Sequence, residues 1–274
     1  MAALEFVVPV YRTAPFLRET LRSLLSQRDA DVAVTVRLVE VPAGTEREAL
    51  GVDLATLPAV RVLRAERGLG IGGDWEAALN AAEAPLVTLA HSDDLYDAGY
   101  AAAMVDAFRS FPSAAVAFCA AAYTDASPRR RVIRAIRWGL NPARLARRTA
   151  KVPGRAMAAS LRLASLIPCP SVAYNKPVLR SALGSTPIFD PTMRTALDWK
   201  AWLDLAERGL DFVYVPEPLM TLRVHEGSTT QATIKTGDRS REERAILERA
   251  WGPTVGAALF RALELGQRLQ QVKG

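Results

Sequence analysis

Residues 4–25, which read LEFVVPVYRTAPFLRETLRSLL, open the chain with a strand followed by a helix. The run Leu4–Val10 is short and rich in β-branched residues, which is typical of a buried strand. Thr13 and Pro15 are typical of the start of a helix. The leucines at positions 17, 21, 24 and 25 then fall on one face of that helix. This stretch therefore predicts a βα unit whose helix packs against a sheet.

The same alternation continues through the first half of the chain. Further strands are predicted at Val34–Val41, Val60–Leu63 and Leu86–Ala90, with a helix between the last two. Regular alternation predicts an α/β fold with a mainly parallel sheet flanked by helices. Ligands of such sheets bind beyond the carboxyl ends of the strands, so we expect the chemistry on the loops that follow them.

The second half of the chain is less regular. Its predicted elements are a strand near Ala115–Phe118, a Pro-rich passage at Pro168–Pro177, a helix at Trp199–Arg208 and a strand at Phe212–Val215. The chain has 274 residues, half of them hydrophobic, which is enough for one large core. We therefore expect one domain over residues 1–228. Helical patterns beyond it predict a C-terminal appendage over residues 229–274.

Composition excludes several classes of protein. The two cysteines, Cys119 and Cys169, lie in a predicted buried strand and a Pro-flanked turn, which favours free thiols and a reduced cytoplasm. The two histidines, His91 and His225, lack the paired spacing of a structural zinc site. The start of the chain lacks the pattern of a secretory signal, and no apolar stretch approaches the roughly 20 residues of a membrane-spanning helix. We expect a cytoplasmic protein, soluble or peripheral to the membrane.

The basic residues are concentrated in one segment. Between Pro128 and Arg155 there are nine arginines, one lysine and no acidic residue, in a chain whose net charge is +6. Nucleic-acid binding is therefore not expected, because the rest of the chain is not basic. Apolar residues such as Ile136 and Trp138 alternate with the arginines. The segment is either a solvated loop or an amphipathic element that contacts an anionic membrane or a polyanionic acceptor. We interpret residues 125–165 as an insertion on the side of the fold where such an acceptor would bind.

Two adjacent carboxylates follow the fourth predicted strand directly. Asp93 and Asp94 come three and four residues after Ala90. Mg²⁺ and Mn²⁺ take oxygen ligands and are commonly held by one or two carboxylates together with the phosphates of a substrate. The alternative is that one of the two merely caps a following helix. The pattern thus indicates a divalent-cation site or a helix cap.

Six segments, in this order, resemble the sequence motifs of family 2 glycosyltransferases. They are Phe6–Tyr11, Leu21–Gln27, the glycine-rich Gly68–Trp75, Leu89–Asp94, Thr195–Trp199 and Leu222–Ser228. The resemblance covers roughly residues 4–230. It implies a GT-A fold and a metal-dependent, inverting transfer of a sugar from a nucleotide donor, with Mn²⁺ or Mg²⁺ as the cofactor.

The resemblance also implies a role for each matching residue. Asp94 and His225 would lie at the cation, Asp93 at the ribose of the donor, and Arg223 at its phosphates. Asp198 would be the general base, and the start of a helix there favours its ionised form. The remaining donor-binding residues would be Pro9, Tyr11, Glu40, Gly70 and Asp74. The chain departs from the family pattern after Glu40, at Arg67 and at Leu197, which leaves the identity of the nucleotide open.

We therefore expect a glycosyltransferase that uses a UDP-sugar and a hydroxyl acceptor in cell-surface polysaccharide, glycolipid or glycoconjugate synthesis. One alternative is an NAD-dependent oxidoreductase, because Gly68–Gly73 satisfies G-x-G-x-x-G. Against it, two other strands precede the strand that leads into this motif, whereas the motif normally follows the first strand of its fold. The other alternative is a protein that binds a sugar nucleotide or a partner without catalysis. The apolar residues of the C-terminal segment are also compatible with an oligomer.

Overall fold

The predicted first strand lies inside a mixed sheet. The computed structural model describes residues 2–124, 147–225, 227 and 236–271. Within these residues, nine strands form one sheet. They are β1 (Leu4–Tyr11), β2 (Val32–Val39), β3 (Val60–Ala65), β4 (Leu86–Leu89), β5 (Leu95–Tyr96), β6 (Val116–Thr124), β7 (Ala150–Val152), β8 (Val172–Asn175) and β9 (Phe212–Arg223).

The order of the strands creates a crevice beside β1. The order is β3-β2-β1-β4-β8-β6-β9-β5, and β7 pairs with β9. The strands from β3 to β4 are parallel, whereas β8 is antiparallel to both of its neighbours. From β1 the chain proceeds to β2 on one side, and β4 joins on the other. The carboxyl ends of β1 and β4 therefore form the switch point at which open α/β sheets bind ligands.

Pro9 marks the place where the sheet opens. The pairing of β1 with β4 covers only Leu4 to Val7, but its pairing with β2 continues to Tyr11. Val7 accepts a hydrogen bond from the backbone of Ala90, so it faces the β4 side. Residues two apart on a strand face the same side, so the missing N–H of Pro9 falls where β4 has ended. A proline is tolerated here because it removes no bond of the sheet.

Helices cover both faces of the sheet. Their bounds are α1 (Leu17–Leu25), α2 (Glu46–Leu50), α3 (Gly70–Ala81), α4 (Tyr100–Ser110), α5 (Gly154–Leu161), α6 (Lys176–Leu183), α7 (Leu197–Glu207), α8 (Asp238–Trp251) and α9 (Pro253–Gln271). One core cluster joins α1 and α4 to the face that carries Phe6 and Val8. The other joins α3, α5 and α7 to the opposite face, where Val7 lies. The expected layered α/β architecture is confirmed.

Several predicted elements differ from the observed ones. The helix predicted around Trp75 begins at Gly70, so the glycine-rich segment forms its first turn. The Pro-rich passage contains the unpredicted strand β8, and β9 continues well past Val215 to Arg223. In the predicted C-terminal appendage, Ile246, Leu247 and Phe260 belong to the same core cluster as Trp199. Cys119 and Cys169 are free and buried, as predicted.

The basic segment lies largely outside the described residues. Of residues 128–155, for which a solvated loop and contact with a membrane or a polyanionic acceptor were left open, the structure describes only 147–155. There, β7 joins the sheet by pairing with β9. No helix of the described residues is both long enough and apolar enough to span a membrane.

Candidate active site

The loop that follows β4 carries a compact group of potential metal ligands. One ligand atom each from His91, Asp93 and Asp94 lies within 4.8 Å of the other two. Asp94 is only 1% exposed, and its Oδ2 has no hydrogen-bond partner among the described residues. The same holds for the buried Nε2 of His91. A buried carboxylate oxygen without a partner is costly, and a cation would satisfy it. The residues present therefore fit a divalent cation.

The pKa shifts in this group have the same physical cause. Burial, reinforced by the nearby charge of Asp93, raises the pKa of Asp94 well above its usual range, and the bond from the backbone of Arg223 opposes the rise only partly. Burial also lowers the pKa of His91, which leaves a neutral imidazole with a free lone pair. His91 is not among the predicted ligands, yet it lies with the two carboxylates. Its ring stacks on Trp75 at 5.1 Å between centroids.

Two neighbouring elements hold the aspartate loop in place. From α1, the hydroxyl of Thr20 donates to the carbonyls of Asp94 at 2.9 Å and Ser92 at 3.1 Å. From the end of β9, Arg223 donates its backbone N–H to Asp94 Oδ1 at 2.9 Å and its Nε to the carbonyl of Asp93 at 3.0 Å. Thr20 was not predicted, although a polar residue on the leucine face of α1 is a usable signal. Both elements fix the carboxylates before any ligand arrives.

His225 joins the group through Asp93. Its Nε2 lies 2.9 Å from Asp93 Oδ2, and its ring contacts Phe16 at 4.9 Å between centroids. The guanidinium of Arg223 lies over the Phe16 ring, 4.4 Å from its centroid, and also donates a hydrogen bond to Glu19. Arg223 is thus held by the protein itself, so its guanidinium positions the loop. The structure brings together Asp93, Asp94, His225 and Arg223, as predicted.

A second group lies at the end of β1 and β2. Glu40 Oε2 accepts from the hydroxyl of Tyr11 and the Nε of Arg12, each at 3.0 Å, and Oε1 accepts from the backbone of Gly68 at 3.1 Å. The bond from Gly68, followed by that from Arg12, lowers the pKa of Glu40. Tyr11 is 51% exposed, and the guanidinium of Arg12 lies over one face of its ring, 4.8 Å from the centroid, so a ligand would stack on the opposite face. The group can accept hydrogen bonds from a planar ligand and stack against it.

The backbone of this group is strained. Arg12 and Glu40 have φ values of 61° and 54°, in the left-handed region that residues other than glycine rarely adopt. Such outliers persist only where the surrounding contacts impose them, and they cluster at functional sites. The side chains of these two residues form an ion pair. This strain supports a functional role for the group.

The glycine-rich segment builds the floor beside this group. Gly70 begins α3 at φ +78°, and Gly72 packs so closely that an added Cβ would lie 2.7 Å from the carbonyl of Asp190. Asp74 is buried, pairs with Arg37 at 2.8 Å and accepts from the backbone of Leu69 at 3.3 Å. In this structure its carboxylate therefore holds the segment. The segment follows β3 at the edge of the sheet, which is not where a dinucleotide fingerprint belongs.

Asp198 lies on a different element from the aspartate loop. It is the second residue of α7, whose N-cap is Ala196. Burial raises its pKa to about 6, opposed by the bond from the backbone of Trp199 at 2.7 Å. The charges of Asp198 and Asp94 both raise the pKa of the buried Cys169, after the larger effect of burial. Both carboxylates therefore lie within electrostatic range of that thiol.

Sequence comparison identifies a family that covers most of the chain. The profile of the family described as glycosyltransferase like family 2 matches residues 2–244. Among curated protein sequences, none matches this chain.

Solved structures show a similar fold. S. aureus TarS 1-349 in complex with UDP-GlcNAc has a TM-score of 0.63 at 17% identity, covering 89% of this chain and 65% of that one. The mannosyltransferase PcManGT from Pyrobaculum calidifontis, in complex with GDP-Man and Mn²⁺, has a TM-score of 0.58 at 16% identity, covering 99% and 79%. Against S. aureus TarS, with a TM-score of 0.58 and 17% identity, 89% of this chain matches but only 38% of that one. These chains share the GT-A architecture.

Proposed function

Since this chain belongs to the glycosyltransferase-like family 2, we propose that it is an enzyme that moves a sugar from a nucleotide diphosphate to a hydroxyl group, with inversion. One observation carries the proposal. The partnerless, buried Oδ2 of Asp94 lies with His91 and Asp93 at the switch point of the sheet. Open α/β sheets bind their ligands at this point, and hard cations bound there take phosphate oxygens as further ligands.

The residues divide the work between donor and acceptor. Asp94, Asp93 and His91 would hold the cation, and His225 lies beside Asp93 to meet the diphosphate or the metal. A divalent cation at this place neutralises the charge of the departing nucleotide diphosphate. With a pKa of about 6, Asp198 is ionised at neutral pH and can accept the proton of the attacking hydroxyl. Attack from the side opposite the diphosphate inverts the anomeric carbon.

The group around Glu40 supports a particular kind of nucleobase. Its carboxylate is ionised and accepts hydrogen bonds, so it suits a base whose ring nitrogen donates, as in uracil or guanine. Tyr11 offers the stacking face, and Gly70 allows the backbone to approach. We favour a UDP-sugar. Two solved structures with a similar fold are complexes with UDP-GlcNAc and with GDP-Man, both of which present such a base.

The nitrogen of His91 distinguishes between the cations. Mg²⁺ prefers oxygen ligands only, whereas imidazole also suits the transition metals. We propose that the site prefers Mn²⁺ to Mg²⁺. The test is a competition between the two ions, followed by the electron paramagnetic resonance of Mn²⁺, in the wild type and in His91→Asp. The preference for Mn²⁺ should decrease in the variant, and an unchanged preference contradicts the role of His91.

The remaining assignments follow from the sequence. The acceptor is a hydroxyl of a polysaccharide, glycolipid or glycoconjugate, and the assignment of residues 125–165 to its side of the site rests on the sequence alone. The arginines of residues 128–155 support contact with the anionic inner face of the cell membrane. We propose residues 1–228 as the catalytic domain; the helices of residues 229–274 pack on its core through Ile246, Leu247 and Phe260, and their exposed faces can serve an oligomer.

Calorimetric titration tests the proposed function. UDP, GDP, TDP and NAD are each titrated with Mn²⁺ and with a chelator into the wild type, Asp94→Ala and the exposed control Asp106→Ala. We expect one nucleoside diphosphate to bind only with Mn²⁺, and only in the wild type and the control. Binding of NAD that is indifferent to the metal would overturn the proposal in favour of an oxidoreductase. Binding without any release of a nucleoside diphosphate from sugar nucleotides would indicate a protein that binds the donor but does not catalyse its reaction.

A further inference from the structure

Helix α8 presents one continuous face to the body of the protein. Arg239, Glu242, Glu243, Ile246 and Leu247 recur at intervals of three and four residues, so they lie on one side. Ile246 and Leu247 are 4% and 0% exposed and belong to the main core cluster. They anchor the second half of this face. The charged first half of this face is therefore held against the neighbouring segment of the protein.

The carboxylate of Glu242 binds the segment that leads into α7. Its Oε1 accepts from the backbone of Arg194 at 2.7 Å, and its Oε2 accepts from Thr195 at 3.0 Å and Ala196 at 2.9 Å. Ala196 is the N-cap of α7 and cannot itself cap the helix with a side chain. The N–H groups that bind Glu242 lie just before this N-cap and at it, and a negative charge close to the start of a helix is favourable. The carboxylate comes from a helix 46 residues further along the chain.

This segment directly precedes Asp198. The side chain that follows Asp198 is already fixed, because Trp199 is buried and its Nε1 donates to the carbonyl of Leu161 at 2.6 Å. On the other side, the position of Asp198 depends on residues 194–196. Burial has the largest effect on the pKa of Asp198 and raises it; the charge of Arg239 on α8 lowers it, and that of Glu243, which pairs with Arg239, raises it. Helix α8 thus contacts the segment that directly precedes Asp198.

We propose that Glu242 is a positioning residue for the reaction, which holds Asp198 in place by binding the backbone of residues 194–196. This inference deepens the proposed function and rests on it, because it assumes that Asp198 accepts the proton. It makes the C-terminal helix α8 part of the catalytic apparatus. Misplacing a catalytic group by about 1 Å can lower a rate by about 100-fold, so a clamp of this kind has a measurable effect.

The test compares Glu242→Gln with Glu248→Gln. A glutamine amide cannot accept on its nitrogen, so at least one of the three backbone N–H groups loses its acceptor. Glu248 lies on the same helix and pairs with Arg244, and its variant loses the same charge without touching residues 194–196. The rate is the release of UDP from UDP-GlcNAc, UDP-glucose and UDP-galactose, or of GDP from GDP-mannose, with Mn²⁺ and with water as the acceptor. Hydrogen exchange of residues 190–198 reports on the clamp directly.

We expect Glu242→Gln to lower kcat by at least about tenfold, with a donor KM within about twofold of the wild type. Exchange at residues 194–196 should become faster in this variant only. Because the effect acts through Asp198, Glu242→Gln should lower kcat less than about twofold further in an Asp198→Asn background. A merely structural role would instead lower kcat equally in both backgrounds.

The outcomes separate the two claims. If the wild type releases no UDP or GDP, the proposed activity fails. If Asp198→Asn is as active as the wild type, the proposed role of Asp198 as general base fails. In either case this inference fails with it. If Asp198→Asn is impaired but Glu242→Gln is as active as Glu248→Gln, the positioning role alone is overturned. Equal losses in both backgrounds overturn it as well.

Discussion

Without a metal, the buried carboxylate of Asp94 should lower the free energy of unfolding of the protein. Asp94→Asn keeps an oxygen that accepts from the backbone of Arg223, now at 2.9 Å, and removes a charge from a side chain that is 1% exposed. It also removes the repulsion from Asp93 that helps to raise the pKa of Asp94. We therefore expect the variant to be more stable than the wild type in a chelator, although it cannot function.

The size and the pH dependence of the gain follow from this burial. The amide nitrogen of the variant stays without a partner, so the gain is the difference between burying a charge and burying a neutral group, about 1–3 kcal/mol. For a chain of this size, about 2–4 °C in Tm corresponds to each kcal/mol, so the Tm should rise by about 2–12 °C. Because the folded pKa of Asp94 is raised, the wild type loses stability as the pH rises above the unfolded value of about 4. The gain should thus be small near pH 4.5 and larger at pH 8.

Thermal unfolding followed by circular dichroism measures both effects. With Mn²⁺ and nucleotide at about 100 times their Kd, the wild type should gain about 2.7 kcal/mol, and Asp94→Asn should gain nothing. The control is Asp106→Asn, which removes an exposed carboxylate paired with Arg109 and should change the stability by less than about 0.5 kcal/mol. A lower Tm of Asp94→Asn in chelator, or a difference that is the same at every pH, would refute the reasoning.

Three further predictions concern the surroundings of the site. Asp198→Asn should lower kcat by about 100-fold or more with little change in donor KM, and the wild-type kcat should fall as the pH drops below the pKa of about 6, as steady-state rates from pH 5 to 8 will show. Arg223→Ala should weaken Mn²⁺ binding about 10–100-fold by calorimetry, because it frees the aspartate loop; unchanged affinity contradicts its positioning role. Gly72→Ala should lose about 1–3 kcal/mol in urea, because its Cβ meets the carbonyl of Asp190, whereas Gly99→Ala meets nothing within 4 Å and should lose less.

The first half of the fold could be predicted because each of its strands is a local signal. Runs such as Leu4–Val10 are bounded by turn residues and followed by an apolar helix face, and both patterns extend over few residues. The strand β8 gives no such signal. Its residues Val172–Asn175 follow Pro168 and Pro170 and are a strand because β4 and β6 bind them on both sides. Tertiary pairing decided that element, and one sequence does not show it.

The site was predictable to the same extent. Asp93 and Asp94 follow a strand end, so their place at the crevice follows from the topology alone. His91 was missed as a ligand because no sequence pattern shows which side chains of a loop turn to the same point. The link from Glu242 to residues 194–196 was missed for another reason. Capping signals are read within a few residues, and this acceptor comes from a helix 46 residues away.

Because the backbone at Arg12 and Glu40 is left-handed, selection for thermal stability and selection for nucleotide binding should favour different residues there. This conformation costs a residue other than glycine about 1–2 kcal/mol, offset in part by the greater freedom of glycine in the unfolded chain. A library screened only for survival of heating should therefore return glycine at both positions. A library screened for retention of nucleotide should keep the side chains, because Glu40 provides the acceptor and Arg12 holds it. Thermal selection alone would erode this enzyme at its own binding site.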